Sequence, residues 1–125
     1  MTDRARATAL LLGLCIALAA RAEPSAVVRQ EIDYLLEYIG KSGCEFNRNG
    51  TWHDSKTAQA HIRNKYEYLV AQDRINTTED FIEKAATKSS VPFGQPYAVR
   101  CGADPPVWSS QWLSAELARY RVFQP

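Results

Sequence analysis

A chain of 125 residues, 46% apolar and 23% charged, has the composition of one folded globular domain and not of a disordered segment. Its formal net charge is +1 and its 15 basic residues are scattered. That excludes the dense cationic face needed to bind a nucleic-acid backbone.

At the N-terminus, Arg4 and Arg6 precede an apolar run from Ala7 to Ala20, and Ala20-Arg21-Ala22 offers small residues where a signal peptidase reads. The run is shorter than the ~20 apolar residues a membrane-spanning helix needs. Residues 1–22 are therefore expected to be a secretory signal peptide cleaved after Ala22, leaving residues 23–125 as a single small domain without a membrane span. Cys15 follows Leu14, where lipid attachment requires a small residue, so it is read as part of the discarded leader. Removing three arginines and one aspartate takes the net charge from +1 to −1. Two cysteines remain, Cys44 and Cys101. An even number in an exported chain favours one disulfide, the alternative being two buried thiols. Such a bridge would stabilise a small domain by ~2–4 kcal/mol.

In chain order, Ser25 is expected to cap a helix over residues 26–42. Val28, Ile32, Leu35, Leu36 and Ile39 share one face at helical spacing, with Arg29, Glu31, Asp33 and Glu37 mostly elsewhere. Cys44, Phe46 and Arg48 alternate with polar residues as on a half-buried strand. Asn49-Gly50 then marks a tight hairpin, with Trp52 on the return arm expected to face the core. Asp54 or Ser55 caps a second helix over residues 56–72, with Ala58, Ile62, Tyr66, Leu69 and Val70 as its stripe. Thr77 opens a third helix through a Thr77-x-x-Asp80 capping box, burying Phe81, Ile82, Ala85 and Ala86. Residues 97–101 read as a short strand and residues 102–107 as a loop. Ser109 or Ser110 is expected to cap a last helix through about Tyr120, after which Phe123 packs back. The order predicts an α+β domain: four helices packed on a minimal two- to three-stranded antiparallel sheet, with one disulfide.

Several motifs then align. Arg48-Asn49-Gly50, Ala58-x-x-His61-Ile62-x-x-Lys65, Ile75-x-Thr77-x-Glu79-x-Phe81-Ile82, Ser89-Ser90 and Gly94-x-Pro96-Tyr97 occur in that order. From Phe46 to Tyr97, with a weaker echo at Trp112-Leu113, the chain resembles the YfeK-like family of exported bacterial proteins, domain of unknown function 5329. The resemblance implies a periplasmic or secreted bacterial protein with a signal peptide and no established activity. It supplies no catalytic residues. The cysteine pair lies outside the pattern, so the bridge rests on the export argument.

The polar members of these motifs compose one candidate site. His61 and Lys65 lie one helical turn apart. With Arg48, Asn49, Ser89, Ser90 and Tyr97 they could line a pocket for a small anion, Arg offering a planar fork and Lys a point charge. The structural alternative has His61 bonding a backbone carbonyl, Lys65 snorkelling off the core edge and Ser89-Ser90 ending a helix. A hydrolase could be drawn from Ser89 or Ser90 with His61 and Asp80, yet no nucleophile elbow surrounds either serine. Cys44, Cys101, His53 and His61 lack the close pairs of a zinc site, so no metal or cofactor is expected. Trp108, in a proline-flanked loop, is the candidate for an exposed protein contact. Together these features lead to the expectation of a non-enzymatic domain binding a protein or envelope component. Anion binding and a small hydrolase are the alternatives.

Overall fold

The computed structural model describes Gly13, residues 23–89 and residues 94–124. Apart from Gly13, the expected leader lies outside the described residues, as does Ser90.

Helix α1 (Ala26–Lys41) starts where expected, the Ser25 hydroxyl accepting from the Val28 amide at 3.3 Å. Strands β1 (Glu45–Arg48) and β2 (Thr51–His53) form an antiparallel hairpin. Its two turn residues, Asn49 and Gly50, have φ of 51° and 89°, a left-handed conformation that asparagine and glycine tolerate best. Helix α2 (Ser55–Ala71) is capped by Asp54, whose carboxylate accepts from the Thr57 amide at 2.7 Å. Helix α3 (Thr78–Ala85) carries the expected capping box: the Asp80 amide donates to the Thr77 hydroxyl at 3.0 Å, and the Asp80 carboxylate accepts from the Thr77 amide at 3.2 Å. Strands β3 (Ala98–Arg100) and β4 (Val107–Trp108) lead into helix α4 (Ser109–Phe123).

The sheet is antiparallel in the order β2-β1-β3-β4. Phe46 pairs with Val99 and Glu45 with Arg100. One position beyond that last pair, Cys44 and Cys101 are bonded, their Cα atoms 4.4 Å apart. The expected disulfide thus clips β1 to β3. Side chains alternate across a sheet, so Phe46 and Val99 share the inner face, and both are buried. Ile32, Leu35, Leu36 and Ile39 of α1, Ile62 and Leu69 of α2, Phe81 of α3, and Leu113 and Leu117 of α4 complete the core. Each such side chain contributes roughly 1.5–3 kcal/mol over its exposed state. The Trp112 ring meets Phe46 edge-on at 5.5 Å and lies 4.5 Å from Tyr38, tying α4 to the sheet and to α1. Among the described residues no helix is long and apolar enough to cross a membrane.

Five expectations are corrected. The sheet has four strands, not two or three: residues 107–108, expected as loop and helix approach, pair with β3. Two residues are too few to show an alternating pattern. Trp52 lies on the outer face, not in the core. The two-residue turn pairs Arg48 with Thr51 and therefore Trp52 with outward-facing Asn47, and the Arg100 guanidinium covers its ring at 3.9 Å. Ser109 is the first helical residue of α4 and not its cap; its buried hydroxyl donates to the Ala86 carbonyl at 2.6 Å, and Trp108 occupies the cap position without a side-chain bond. Phe123 is 78% exposed and does not pack back. Glu31, expected away from the core, is 6% exposed. It accepts hydrogen bonds from Thr78 at 2.6 Å and from the Arg121 Nε at 2.7 Å, while Arg121 also reaches Glu79. Those partners come from two distant helices, so no local pattern announces them.

Candidate functional site

The hairpin tip, the first half of α2 and the segment entering β3 meet at one end of the sheet. Asn47 pairs with Ala98, so the next positions, Arg48 and Tyr97, share the inner face there. His61 and Lys65 on α2 lie opposite them. The His61 Nε2 is 3.3 Å from the Tyr97 hydroxyl, and the Lys65 ammonium sits over the Tyr97 ring, 5.7 Å from its centre. Lys65 also donates to the Lys88 carbonyl at 2.6 Å. A half-open pocket of about 40 Å³ opens beside them, walled by Phe46, Ala58 and Ile62 on its apolar side and by Arg48, His53 and His61 on its polar side.

Asn49 and Ser89 play a different part. The Asn49 amide donates to the Ser89 hydroxyl at 3.1 Å and its carbonyl accepts from the Gln95 backbone at 3.2 Å. These two bonds brace the hairpin tip against the segment that carries Tyr97. Gly94 belongs to the same brace: a Cβ there would stand 2.6 Å from the Ser89 carbonyl oxygen, so only glycine lets the two backbones approach. The Arg48-Asn49-Gly50, Ser89 and Gly94-x-Pro96-Tyr97 motifs thus hold one another in register, and Arg48 and Tyr97 are the members aimed at the pocket.

The charges are one-sided. Burial holds His61 below its ordinary pKa, and the neighbouring Arg48, Lys65 and His53 push it further down. Burial likewise lowers Lys65, aided by Arg48 and Lys88. Burial raises Tyr97, while Arg48 acts the other way. Every charged neighbour shifting His61 or Lys65 is thus a cation. The Nε of Arg48 is buried and has no hydrogen-bond partner among the described residues. A buried N–H of a charged group without an acceptor is costly.

Of the residues singled out in the sequence, Arg48, His61, Lys65 and Tyr97 converge, and Asn49 and Ser89 support them from behind. Among the described residues the proposed hydrolase partners His61 and Asp80 do not pair: His61 meets Tyr97, while Asp80 accepts from the Asn76 and Thr77 amides at the start of α3. Trp108 is 51% exposed at the far edge of the sheet, beside Val107, which is 44% exposed. His53 was not anticipated in the pocket wall. Its pairing opposite Phe46 puts it on the inner face, and the same parity that misplaced Trp52 would have found it.

The fold and this pocket define a small disulfide-bonded α+β domain with a largely apolar cleft, edged by Arg48, His53 and His61, between a hairpin and a helix. The chain belongs to a family of unknown function, DUF5329, whose model matches residues 26–121, from the start of α1 to within the last turn of α4. It is similar to the uncharacterised protein YfeK of Salmonella typhimurium, at 34% identity over 88 residues, which cover 70% of this chain and 71% of that protein. No solved structure matches it.

Proposed function

We propose that this protein is a non-enzymatic exported domain that binds a small anion in the cleft lined by Arg48, His61 and Tyr97, with Lys65 close by over the Tyr97 ring. The observation that carries the reading is the buried, unpartnered Nε of Arg48 in a setting where every charged neighbour acting on His61 and Lys65 is a cation. Arginine presents a rigid fork to a planar or tetrahedral anion and lysine adds a point charge. His61 and Tyr97 supply hydrogen-bonding edges. Export is part of the proposal. The leader-like residues 1–22 support it, and so does the disulfide, which persists in an oxidising compartment such as the periplasm.

Thermal unfolding across a panel of anions at constant ionic strength tests the binding. A site-bound anion raises the melting temperature of the parent, and Arg48→Met removes the rise. Equal shifts in parent and variant would refute the site. Mass spectrometry of the protein expressed from Met1 and recovered from the periplasm tests the export: a chain beginning at Glu23 supports it, and an intact N-terminus contradicts it.

A second reading, contact with a protein or envelope component through Trp108 and Val107, is supported by the exposure of both side chains. Trp108→Ser would then abolish co-purification of the partner and leave anion binding unchanged.

A further inference from the structure

We infer that the anion this cleft selects is a short-chain carboxylate, an inference that rests on the anion reading above. The first argument is size. The cleft leaves about 40 Å³. On a scale where one enclosed water needs roughly 10–15 Å³, that accommodates about three water-sized atoms. A carboxylate head has three heavy atoms in a plane. Phosphate and sulfate are tetrahedral with five, so they fit that space less closely and leave charged oxygens outside the half-open mouth.

The second argument is the donor. Arg48 lines the cleft, and its Nε is buried behind the surface without a partner among the described residues. The Nε and neighbouring Nη groups of an arginine form two parallel N–H donors that match the two oxygens of one carboxylate. A turn of the guanidinium towards the cleft would present that edge to a carboxylate and give the buried donor its acceptor, and one negative charge would enter a cluster whose other members are His61, His53 and Lys65. His61 is half-buried and held towards its neutral form by burial and by Arg48, Lys65 and His53. It can therefore donate or accept at the ligand's edge without a second full charge on the protein.

The third argument is the opposite wall. Phe46, Ala58 and Ile62 present hydrocarbon, and Phe46 and Ile62 belong to the buried core. A fully solvated inorganic anion gains nothing there. A methyl or short alkyl group does, at a rate set by the apolar area it covers. Because the cleft is half-open, a chain of a few carbons can lead out past Thr57, which is exposed on the first turn of α2.

The test is an amide and side-chain NMR titration of the full chain, as processed by a bacterial host, with acetate, propionate, butyrate, phosphate, sulfate and chloride at matched ionic strength. The inference expects saturable shifts at Arg48, His61 and Tyr97 with the carboxylates and only weak, non-saturating shifts with the others. Arg48→Lys keeps the charge but loses the fork, and should weaken acetate by about tenfold or more, the scale of a lost charge-assisted hydrogen bond. Thr57→Phe leaves Arg48 untouched and blocks the way out, so it should weaken butyrate more than acetate. Phosphate or sulfate binding at the same residues as tightly as acetate would overturn the carboxylate assignment and leave the anion site standing. No saturable shift with any anion would remove both. Should Arg48→Lys fail to fold, the Thr57→Phe variant decides: unchanged butyrate binding means the cleft is not the site.

Discussion

Removing the Cys44–Cys101 bond is the perturbation whose size the structure fixes best. The two cysteines are 57 positions apart. In the chain-entropy description, closing a loop of that length takes about 14 cal/mol/K from the unfolded ensemble, or about 4 kcal/mol at 25 °C. The bond joins β1 to β3 one step beyond a regular ladder pair, and Cys44 is 5% exposed, so alanine also gives up some packing. Domains of this size have a net stability of about 5–15 kcal/mol, so the double substitution Cys44→Ala/Cys101→Ala should remove a large fraction of it. At ~4–8 °C per kcal/mol for a domain of this length, the melting temperature should fall by roughly 15–30 °C. Calorimetry of the oxidised parent and of the double variant measures that fall. Urea unfolding should also give a steeper denaturant dependence for the variant, because its unfolded chain is free to expand. A variant melting within a few degrees of a parent whose single disulfide is confirmed by mass would refute the reasoning.

Three further outcomes follow from the same structure. Glu31→Gln should cost about 2 kcal/mol, the scale of hydrogen bonds to a charged group, because the amide cannot serve Thr78 and both Arg121 donors; the half-exposed Arg121 guanidinium keeps the cost from being larger. The Arg121 hydrogen bond holds Glu31 below the ordinary carboxylate range. Its stabilisation is therefore complete above that range and is lost as pH falls through the depressed value, so urea unfolding of the Gln variant should be less acid-sensitive. Thr77→Ala should cost about 1 kcal/mol by deleting the α3 cap, read from the shift of the urea midpoint. Tyr34, which donates to Glu116 at 2.5 Å, has its pKa pushed up to about 12, chiefly by that bond. Its stabilisation is present below the ordinary tyrosine range and fades as pH rises through about 12. Phenolate absorbance should report late-titrating tyrosines, and Glu116→Gln should lower the titration of Tyr34.

Elements with local signatures were legible in the sequence. The Asn49-Gly50 turn, the Asp54 and Thr77 caps and the apolar stripe of α1 each depend on residues a few positions apart, and each forms where the pattern indicates. What was not legible depends on pairing across the chain. The strand β4 exists because β3 offers it an edge. Glu31 is buried because Arg121, 90 residues later, reaches it. The outward turn of Trp52 follows from the hairpin register, which the sequence contains but which an assumption of an aromatic core obscured. The site divides in the same way. Arg48, His61, Lys65 and Tyr97 could be grouped as polar members of spaced motifs, whereas the bracing role of Asn49 and Ser89 emerges only when the hairpin tip meets the approach to β3.

The central claim is that the corner around Arg48 is electropositive and awaits an anion, and the titration of His61 by NMR tests it most directly. In the free protein its pKa should lie below the ordinary 6.5, as burial and its cationic neighbours require. It should climb when acetate is added or when Arg48 becomes methionine, because each relieves the surrounding positive charge. Titration at or above 6.5 in the free protein, or a value that neither acetate nor Arg48→Met moves, would contradict the account.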